Sequence, residues 1–376
     1  ADGAQVVAPR DKDIIAEVNA VASFGEIKEM TMDEAQAKGL FQYISEDVDN
    51  AFDANVLAQR QAPEIIEEMA DDLKIVYTPI HGSGNLPVRR ALEKAGFHQV
   101  YVVKEQELPD SDFTTVGYPN PEDPKVFVLA QKLAEGKGAD IIVGTDPDCD
   151  RVGAMVRNDK GEYVVLTGNM TGALLTEYIL SQKKAKGTLP ANGAVIKTIV
   201  STEMIRPMCE AYGVELMDVL TGFKFIGEKI KGFEETGSHS YIFGFEESYG
   251  CLAGTYARDK DAVVATLLIC EMAAYYKKQG MTLYDGLMAL YEKYGYYREG
   301  VKSLTMKGLD GVEKIQKIMA SFRAETPADF AGVAVEWAKD YKTQVFKNLK
   351  TGEETTSPLP VSDVVYYTLA DGSWIC

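Results

Sequence analysis

One short stretch of the chain carries three aspartates at alternating positions, directly after an apolar run that is typical of a buried strand. Its sequence is Gly144-Thr145-Asp146-Pro147-Asp148-Cys149-Asp150-Arg151. Carboxylates packed this closely repel one another, and a cation among them removes the repulsion. Mg²⁺ takes oxygen ligands and typically combines a few carboxylates with waters or phosphate oxygens. Asp146, Asp148 and Asp150 are therefore the predicted ligands of one Mg²⁺ ion.

Three other interpretations of this stretch differ in what they require. A solvated acidic turn, which is less favoured, needs neither the strict alternation nor the strand in front. An EF-hand needs glycine at loop position six and glutamate at position twelve; this chain has Arg151 and Arg157 there, so an EF-hand is excluded. An aspartyl-phosphate phosphatase, in which Asp146 would itself be phosphorylated, fits the local sequence and stays open as a minor alternative.

A second polar stretch has the groups that sugar recognition requires. Its sequence is Gly244-Phe245-Glu246-Glu247-Ser248-Tyr249-Gly250, and it follows a predicted strand at 241–243. A carboxylate accepts hydrogen bonds from neighbouring hydroxyls, and a serine hydroxyl can donate or accept. The alternative is that these residues form the N-cap region of a helix.

The elements that position both stretches alternate between strand and helix patterns. Strands are predicted at 74–80, 100–104 and 141–143, with helices at 86–95 and 125–136 between them, and a similar series follows from about residue 164. This order is typical of an α/β fold with a mainly parallel sheet, in which ligand sites gather at the carboxyl ends of strands. The glycine-rich turn that begins at His81 is predicted to be structural, with His81 as a hydrogen-bonding turn residue.

The composition excludes two classes of partner. The 376 residues carry a formal net charge of −18, and such a surface repels nucleic acid and anionic lipid. We therefore expect neither nucleic acid nor a membrane as a partner, and no apolar run approaches the roughly 20 residues of a membrane span. Five scattered cysteines without a Cys-x-x-Cys pair, and no signal peptide, predict a cytoplasmic location.

The aspartate stretch resembles the metal loop of the α-D-phosphohexomutases, the phosphoglucomutase/phosphomannomutase family, whose usual form is Asp-Gly-Asp-Gly/Ala-Asp-Arg. Pro147 and Cys149 take the small positions of that motif here. The second stretch resembles the family's sugar-binding loop, Gly-Glu-x-Ser-x-Gly, with Phe245 at a position that is glycine in some relatives. Thr221-Gly222 with Lys224 resembles the second recognition loop, and Arg258-Asp259-Lys260-Asp261 a phosphate-contacting stretch.

This resemblance implies a role for each matched residue and a reaction for the family. The catalytic residues would be Arg151 and Lys224; the substrate-binding residues would be Thr221, Gly222, Glu246, Ser248, Arg258 and Lys260; and the metal ligands would be Asp146, Asp148 and Asp150. The implied reaction interconverts hexose 1-phosphate and hexose 6-phosphate through a phosphoserine and a bisphosphate. The implied cofactors are Mg²⁺ and glucose 1,6-bisphosphate, the partner is the hexose phosphate, and we expect a monomer or dimer.

The resemblance also implies the architecture. We expect consecutive α/β/α-layered domains with mixed, mainly parallel sheets, followed by an incomplete α+β C-terminal domain. The predicted limits are 1–54 for a remnant of the first domain and a linker, 55–163 for a second domain with the metal loop, 164–296 for a third domain with the sugar loop, and 297–376 for the incomplete fourth domain. A strand is predicted at 301–306 in the last of these.

Two motifs of the family do not occur in the 376 residues. They are the serine loop Thr-Ala-Ser-His-Asn-Pro and the loop Arg-Pro-Ser-Gly-Thr-Glu-Pro that grips the phosphate not being transferred. Ser238-His239-Ser240 is a superficial echo of the former, and we do not assign it as the nucleophile. We expect a phosphoglucomutase-type protein that is inactive as this chain. The alternatives are a non-catalytic fragment that binds metal or sugar phosphate, and phosphomannomutase specificity.

Overall fold

The computed structural model describes residues 3–7, 9–306 and 308–376, which fall into two units at 1–297 and 298–376. The helices of the first unit are α1 (Arg10–Ala20), α2 (Met32–Ala37), α3 (Glu46–Leu57), α4 (Pro63–Met69), α5 (Asn85–Ala95), α6 (Val128–Lys137), α7 (Gly168–Ala185), α8 (Ile205–Tyr212), α9 (Lys224–Thr236), α10 (Ala262–Lys278) and α11 (Leu283–Tyr294). Its strands are β1 (Lys74–Thr78), β2 (Gln99–Val102), β3 (Ile141–Thr145), β4 (Val152–Arg157), β5 (Tyr163–Leu166), β6 (Gly193–Thr198), β7 (Glu215–Val219), β8 (Ser240–Phe245) and β9 (Cys251–Ala253).

The first sheet has the strand order β2-β1-β3-β4-β5. β1 pairs in parallel with β2 and β3, whereas β3 pairs antiparallel with β4, and β4 antiparallel with β5. β3 is buried along its whole length, as its apolar sequence requires. Because β1 and β3 run in parallel, the turns that follow Thr78 and Thr145 meet at one edge of the sheet.

The second sheet has the strand order β7-β6-β8-β9 and repeats the arrangement of the first. β6 pairs in parallel with β7 and β8, and β8 pairs antiparallel with β9. Both sheets are therefore mixed, and in each a parallel strand continues through a loop into an antiparallel neighbour. The predicted class of α/β layers with mixed sheets is confirmed.

Helix α10 joins the two sheets into one hydrophobic core. Its residues from Ala262 to Ala274 are all buried, as expected for a helix that is apolar on every side. It contacts α4, α5, α7, β3 and β9. One continuous cluster of buried apolar residues includes Val143 of the first sheet, Val195 of the second and Leu267 of α10. The loops at the ends of the two sheets are consequently fixed relative to each other.

The described residues of the second unit form a helix and a sheet of short antiparallel strands. These are α12 (Gly308–Ala324), β10 (Asp329–Phe330), β11 (Val333–Asp340), β12 (Val345–Asn348), β13 (Glu354–Thr356), β14 (Val365–Leu369) and β15 (Trp374–Ile375). The order is β13-β12-β11-β14-β15, and β10 pairs with β11. Val335, Tyr367 and Leu369 form a small buried cluster against Met319 of α12.

Two details of the sequence-based elements differ from the structure. The strand predicted at 301–306 is wrong: these residues have no regular secondary structure and most are exposed, so their backbone groups can bond to water instead of a partner strand. The predicted limit between 163 and 164 falls inside β5, which pairs with β4 of the first sheet. Within the described residues, no helix has the length and apolar character that crossing a membrane demands.

Candidate functional site

Asp146 organises the loop between β3 and β4. Its side chain is fully buried. Its Oδ1 accepts hydrogen bonds from the backbone N–H groups of Asp150 at 3.1 Å and Arg151 at 2.9 Å, and its Oδ2 accepts one from Arg151 Nε at 2.7 Å. Burial, helped by the nearby charge of Asp150, raises the pKa of Asp146 to about 6. The loop is thus closed by a carboxylate whose negative charge is costly at this depth.

The three alternating aspartates converge at the end of β3. One oxygen from each of Asp146, Asp148 and Asp150 lies within 4.8 Å of the others, with Asp146 buried, Asp150 half-buried and Asp148 exposed. An ionised carboxylate has about four lone-pair sites, and the three hydrogen bonds to Asp146 leave room for a metal bond. This all-oxygen set, open to solvent on the Asp148 side, fits Mg²⁺ with retained waters or phosphate oxygens.

Two basic side chains of the protein approach the aspartates. Arg151 Nε lies 3.5 Å from Asp150 Oδ1 as well as 2.7 Å from Asp146 Oδ2, and Arg151 Nη1 lies 3.5 Å from Glu122 Oε1. Lys260 Nζ lies 3.0 Å from Asp150 Oδ2 and 3.0 Å from Asp259 Oδ1. Burial is the largest single influence on the pKa of Lys260 and lowers it, but the hydrogen bonds and negative charges of Asp150 and Asp259 together outweigh burial, so the pKa is raised.

The glycine-rich turn after β1 packs against the aspartate loop, which comprises residues 146–151 between β3 and β4. Ser83 donates both its N–H and its hydroxyl to the carbonyl of Pro147, at 2.8 and 3.0 Å. A Cβ on Gly82 would lie 2.5 Å from Pro147 Cα, so only glycine permits this approach. His81 makes hydrogen bonds to the Leu108 carbonyl and the Thr115 hydroxyl, at 2.8 and 2.7 Å. The structural role expected for this turn matches these contacts.

The aspartate loop contacts a second loop, residues 246–250 between β8 and β9, which we call the glutamate loop. Arg151 and Gly250 form an isolated antiparallel β-bridge, and Val152 N–H donates to the Tyr249 carbonyl at 3.2 Å. The two loops also have similar backbones: Cys149 and Tyr249 lie at their tips with φ of 59° and 72°. Non-glycine residues rarely adopt this left-handed conformation, and such strain concentrates at functional loops.

Glu246 faces the loop after β7. Its side chain is 7% exposed, and its Oε1 accepts a hydrogen bond from Gly222 N–H at 2.9 Å. Burial raises the pKa of Glu246, while the charge of Lys260 and the Gly222 hydrogen bond oppose that shift. A carboxylate with about four lone-pair sites can accept further hydrogen bonds besides the one from Gly222. Glu246, close to the positive charge of Lys260, could therefore accept charge-assisted hydrogen bonds from sugar hydroxyls.

The other residues predicted for the site differ in how closely they approach this centre. Gly222 has φ of 111° and binds Glu246 through its N–H, and Thr221 beside it is exposed. Ser248 is half-buried within the glutamate loop. Lys224 Nζ lies over the Phe225 ring, 5.2 Å from its centroid. Arg258 forms an ion pair with Glu234 of α9.

Sequence reasoning missed two residues beside the glutamate loop: Glu247, which ties the loop to the end of β6, and Lys197 of β6, which pairs with Phe245 just before the loop. Glu247 Oε2 accepts hydrogen bonds from the Thr198 hydroxyl at 2.8 Å and the Ser201 hydroxyl at 3.4 Å. Lys197 is fully buried, and its Nζ lies 2.8 Å from both Glu203 Oε1 and Asp218 Oδ1. The sequence did contain a signal for Lys197: a lysine inside an apolar strand predicts a buried charge, and a buried charge needs ionic or hydrogen-bonding partners.

Gly168, the first residue of α7, is predicted to be irreplaceable because the glutamate loop packs onto it. A Cβ there would lie 2.1 Å from the Glu247 carbonyl oxygen. Gly168→Ala should therefore lower the free energy of unfolding by about 1–3 kcal/mol. Gly136, near the end of α6, is different, because a Cβ added there would meet no atom within 4 Å.

The matched variant Gly136→Ala should stabilise the protein by about 0.5–1 kcal/mol, since alanine favours helix more than glycine. Urea denaturation of both variants followed by circular dichroism measures the difference. Equal stability of the two variants would show that the loop yields freely at Gly168.

Two regions of the chain match family models. Residues 54–161 match the model described as phosphoglucomutase/phosphomannomutase, alpha/beta/alpha domain II. Residues 167–294 match the corresponding alpha/beta/alpha domain III. The aspartate loop lies in the first match and the glutamate loop in the second.

Curated relatives and solved structures agree with these matches. The chain is 36% identical over 301 residues to the phosphoglucomutase of Staphylococcus epidermidis, covering 80% of this chain and 54% of that protein. The Staphylococcus aureus phosphoglucomutase gives 36% over 303 residues, with 80% and 53% covered. The chain thus spans about half the length of the curated relatives it matches.

Among solved structures, a Thermus thermophilus protein provisionally named a phosphomannomutase has a TM-score of 0.53 at 21% identity, covering 66% of this chain and 51% of that one. A phosphoglucomutase/phosphomannomutase family protein from Burkholderia thailandensis has a TM-score of 0.50 at 18% identity, covering 74% and 53%. At these identities the likeness shows the fold.

Proposed function

Because the chain belongs to the phosphoglucomutase/phosphomannomutase family, we propose that its two touching loops form the metal and sugar sites of a hexose phosphate mutase. The observation that carries this proposal is the β-bridge between Arg151 and Gly250. It sets the aspartate loop beside the glutamate loop, so that a phosphate at the one and a sugar ring at the other can belong to the same molecule.

The proposed metal ligands are Asp146, Asp148 and Asp150, which would hold one Mg²⁺. When bound, Mg²⁺ supplies Lewis acidity toward an oxygen of the transferring phosphoryl group. Arg151 contributes a permanent positive charge at the same place, and its guanidinium is fixed by Asp146 rather than free to rotate. Preorganised charge of this kind stabilises a developing anion without reorganisation cost.

The proposed sugar ligands are Glu246 and Ser248, with Thr221 and Gly222 facing them from the loop after β7. The hydrogen bond from Gly222 N–H to Glu246 ties the two loops together. Arg258 and Lys260 are the proposed cations for the phosphate ester, and Lys224 is proposed as a catalytic residue together with Arg151. A phosphohexomutase must accept its sugar in two orientations, and side-chain contacts to similar equatorial hydroxyls allow this.

We propose a phosphoglucomutase-type reaction, with glucose 1,6-bisphosphate as the intermediate in the complete machinery. Mannose specificity and a non-catalytic binding role are the alternatives. The aspartyl-phosphate alternative is less favoured, because Asp146 is fully buried and both its oxygens already accept hydrogen bonds. A nucleophile in that position would need an exposed oxygen.

Equilibrium binding tests the proposal. Isothermal titration of the 376-residue protein with glucose 1-phosphate, glucose 6-phosphate and mannose 1-phosphate, each with Mg²⁺, should show saturable binding. Tighter binding of the glucose esters would support phosphoglucomutase specificity, and tighter binding of the mannose ester the alternative. No binding of any of these esters would contradict the proposed function.

Glu246→Gln should weaken glucose 6-phosphate binding by roughly tenfold to 150-fold, the scale of one lost charge-assisted hydrogen bond. The amide keeps the size of the side chain and removes its charge. The matched control is Glu210→Gln on α8, where the side chain is exposed. Unchanged affinity in Glu246→Gln would reduce Glu246 to a turn residue.

A further inference from the structure

Lys260 is the side chain through which the aspartate loop, the glutamate loop and the start of α10 meet. Its Nζ lies 3.0 Å from Asp150 Oδ2, and its side chain is only 11% exposed. A Cβ on Gly250 would lie 2.2 Å from Lys260 Cδ, so the lysine stem fills the space that the glycine leaves. The Phe223 ring centroid is 5.8 Å from Nζ.

This placement puts a protein cation where a metal-binding carboxylate points. Asp146 is held by Arg151, and Asp150 is held by Lys260, so two of the three aspartates have protein counter-ions. The two cations are not equivalent. Arg151 belongs to the loop itself and also donates its backbone N–H to Asp146 Oδ1, whereas Lys260 reaches across from another segment on a flexible four-carbon stem.

We propose that Lys260 is a displaceable counter-ion of the metal loop, which competes with Mg²⁺ for Asp150 and, once released, binds the phosphate ester of the substrate. The inference rests on the proposed function, since it takes the aspartates as metal ligands. It adds that metal and sugar phosphate binding are coupled through one side chain of this protein.

The released ammonium has a defined place to go. Its stem lies against Gly250, and the same point of Gly250 is 3.4 Å from Glu246 Oε2. Lys260 is therefore anchored beside the carboxylate that we assign to the sugar, and only its terminal atoms need to move. Asp259 Oδ1 also accepts a hydrogen bond from Nζ and keeps the ammonium in this region after Asp150 is lost.

Two consequences follow for binding. Removal of the ammonium should strengthen Mg²⁺ binding, because the ion no longer competes with a protein cation. In the wild-type protein, Mg²⁺ and glucose 6-phosphate should strengthen each other, and linkage requires the same factor in both directions. Direct contact between Mg²⁺ and the phosphate ester can supply part of this coupling factor. The part that depends on Lys260 should vanish when its ammonium group is removed.

The test is calorimetric titration of Mg²⁺ into wild-type protein and Lys260→Met, each with and without saturating glucose 6-phosphate. An indicator reports free Mg²⁺, because the ester itself binds the ion. Lys260→Met keeps the apolar stem and should bind Mg²⁺ alone about threefold to tenfold more tightly, the range for losing a partly buried ion pair. Its coupling factor to glucose 6-phosphate should fall to less than half of the wild-type value.

Lys277→Met is the matched control. Lys277 Nζ pairs with Asp140 Oδ1 at 2.6 Å, just before β3. Lys277 lies near the far end of α10, about 22 Å along the helix from Ala262, its first residue. This variant loses the same charge and should keep wild-type Mg²⁺ affinity and coupling. Should Lys260→Met fail to fold by circular dichroism, Lys260→Gln takes its place with the same expected results.

The inference is overturned if the Lys260 variant binds Mg²⁺ no more tightly than the wild type, or if its coupling factor is unchanged. It is also overturned if Lys277→Met gives the same increase, because the effect would then be one of net charge. Failure of the proposed function has a different signature: the wild-type protein itself would show no Mg²⁺ binding that depends on Asp148.

Discussion

Replacement of Asp148 by asparagine should abolish Mg²⁺ binding, with the Kd rising at least about a hundredfold, because the site loses one of only three anionic ligands. Asp148 is the informative choice among the three. Asp146 closes its loop with three hydrogen bonds, so a change there would disturb the fold as well. Asp148 is exposed, and its replacement should leave the free energy of unfolding nearly unchanged.

Calorimetric titration with Mg²⁺ measures the effect, and thermal unfolding verifies that the variant is folded. Asp159→Asn is the matched control: Asp159 is an exposed aspartate in the hairpin between β4 and β5. This control should bind one Mg²⁺ with wild-type affinity. A wild-type isotherm in Asp148→Asn would remove the metal assignment and with it the basis of the proposed function.

The second large effect concerns turnover. We expect the polypeptide of these 376 residues to bind glucose phosphates without measurable interconversion. Any residual rate of interconversion should lie on the order of 10⁴-fold or more below that of an active phosphohexomutase. The reaction needs a nucleophile that stores the phosphoryl group, and a serine without an activating base or metal is too weak. The family's serine motif does not occur in this sequence.

Two serines, Ser83 and Ser238, could be considered as nucleophiles, and each lacks one of the features that a nucleophile needs. Ser83 lies beside the aspartate loop, but its hydroxyl donates to the Pro147 carbonyl at 3.0 Å. Ser238 lies 3.1 Å from His239 Nδ1, and His239 Nε2 is 2.9 Å from Glu215. That serine, however, precedes β8, at the sheet edge opposite to the one that carries the glutamate loop. Neither combines activation with proximity to the metal ligands.

A coupled assay that converts glucose 6-phosphate to a coloured product, with glucose 1,6-bisphosphate and Mg²⁺ present, measures this expectation. The Asp148→Asn variant gives the background from any contaminating mutase. Turnover well above that background would contradict the expectation and show that a nucleophile is present. Ser83→Ala and Ser238→Ala would then identify which serine carries it.

The family and the clustering of the three aspartates could be predicted from the sequence because both depend on local patterns. Three alternating aspartates after an apolar strand remain neighbours in any fold that keeps that strand. The strand and helix periodicity indicated the α/β class for the same reason. The strand expected at 301–306 was wrong because a short apolar alternation does not specify a partner strand.

The long-range contacts that hold the two loops in place were outside the reach of sequence reasoning, even where the residue itself had been singled out. Lys260 contacts Asp150, 110 positions away in the chain, and Glu247 receives hydrogen bonds from Thr198 and Ser201. None of these contacts has a fixed spacing in sequence. They exist because the two sheets share the hydrophobic core around α10. That shared core brings the carboxyl ends of β3 and β8 together.

The sequence by itself determined which residues can bind a metal ion or a sugar, since that depends on side-chain chemistry and on spacing within one loop. Only the tertiary structure decided that the two loops contact each other. The β-bridge between Arg151 and Gly250 joins a loop of each sheet, and its geometry depends on the packing of both sheets on α10. The tertiary structure also determines which charged side chains lie next to each carboxylate, because burial and long-range ion pairs are properties of the packed chain.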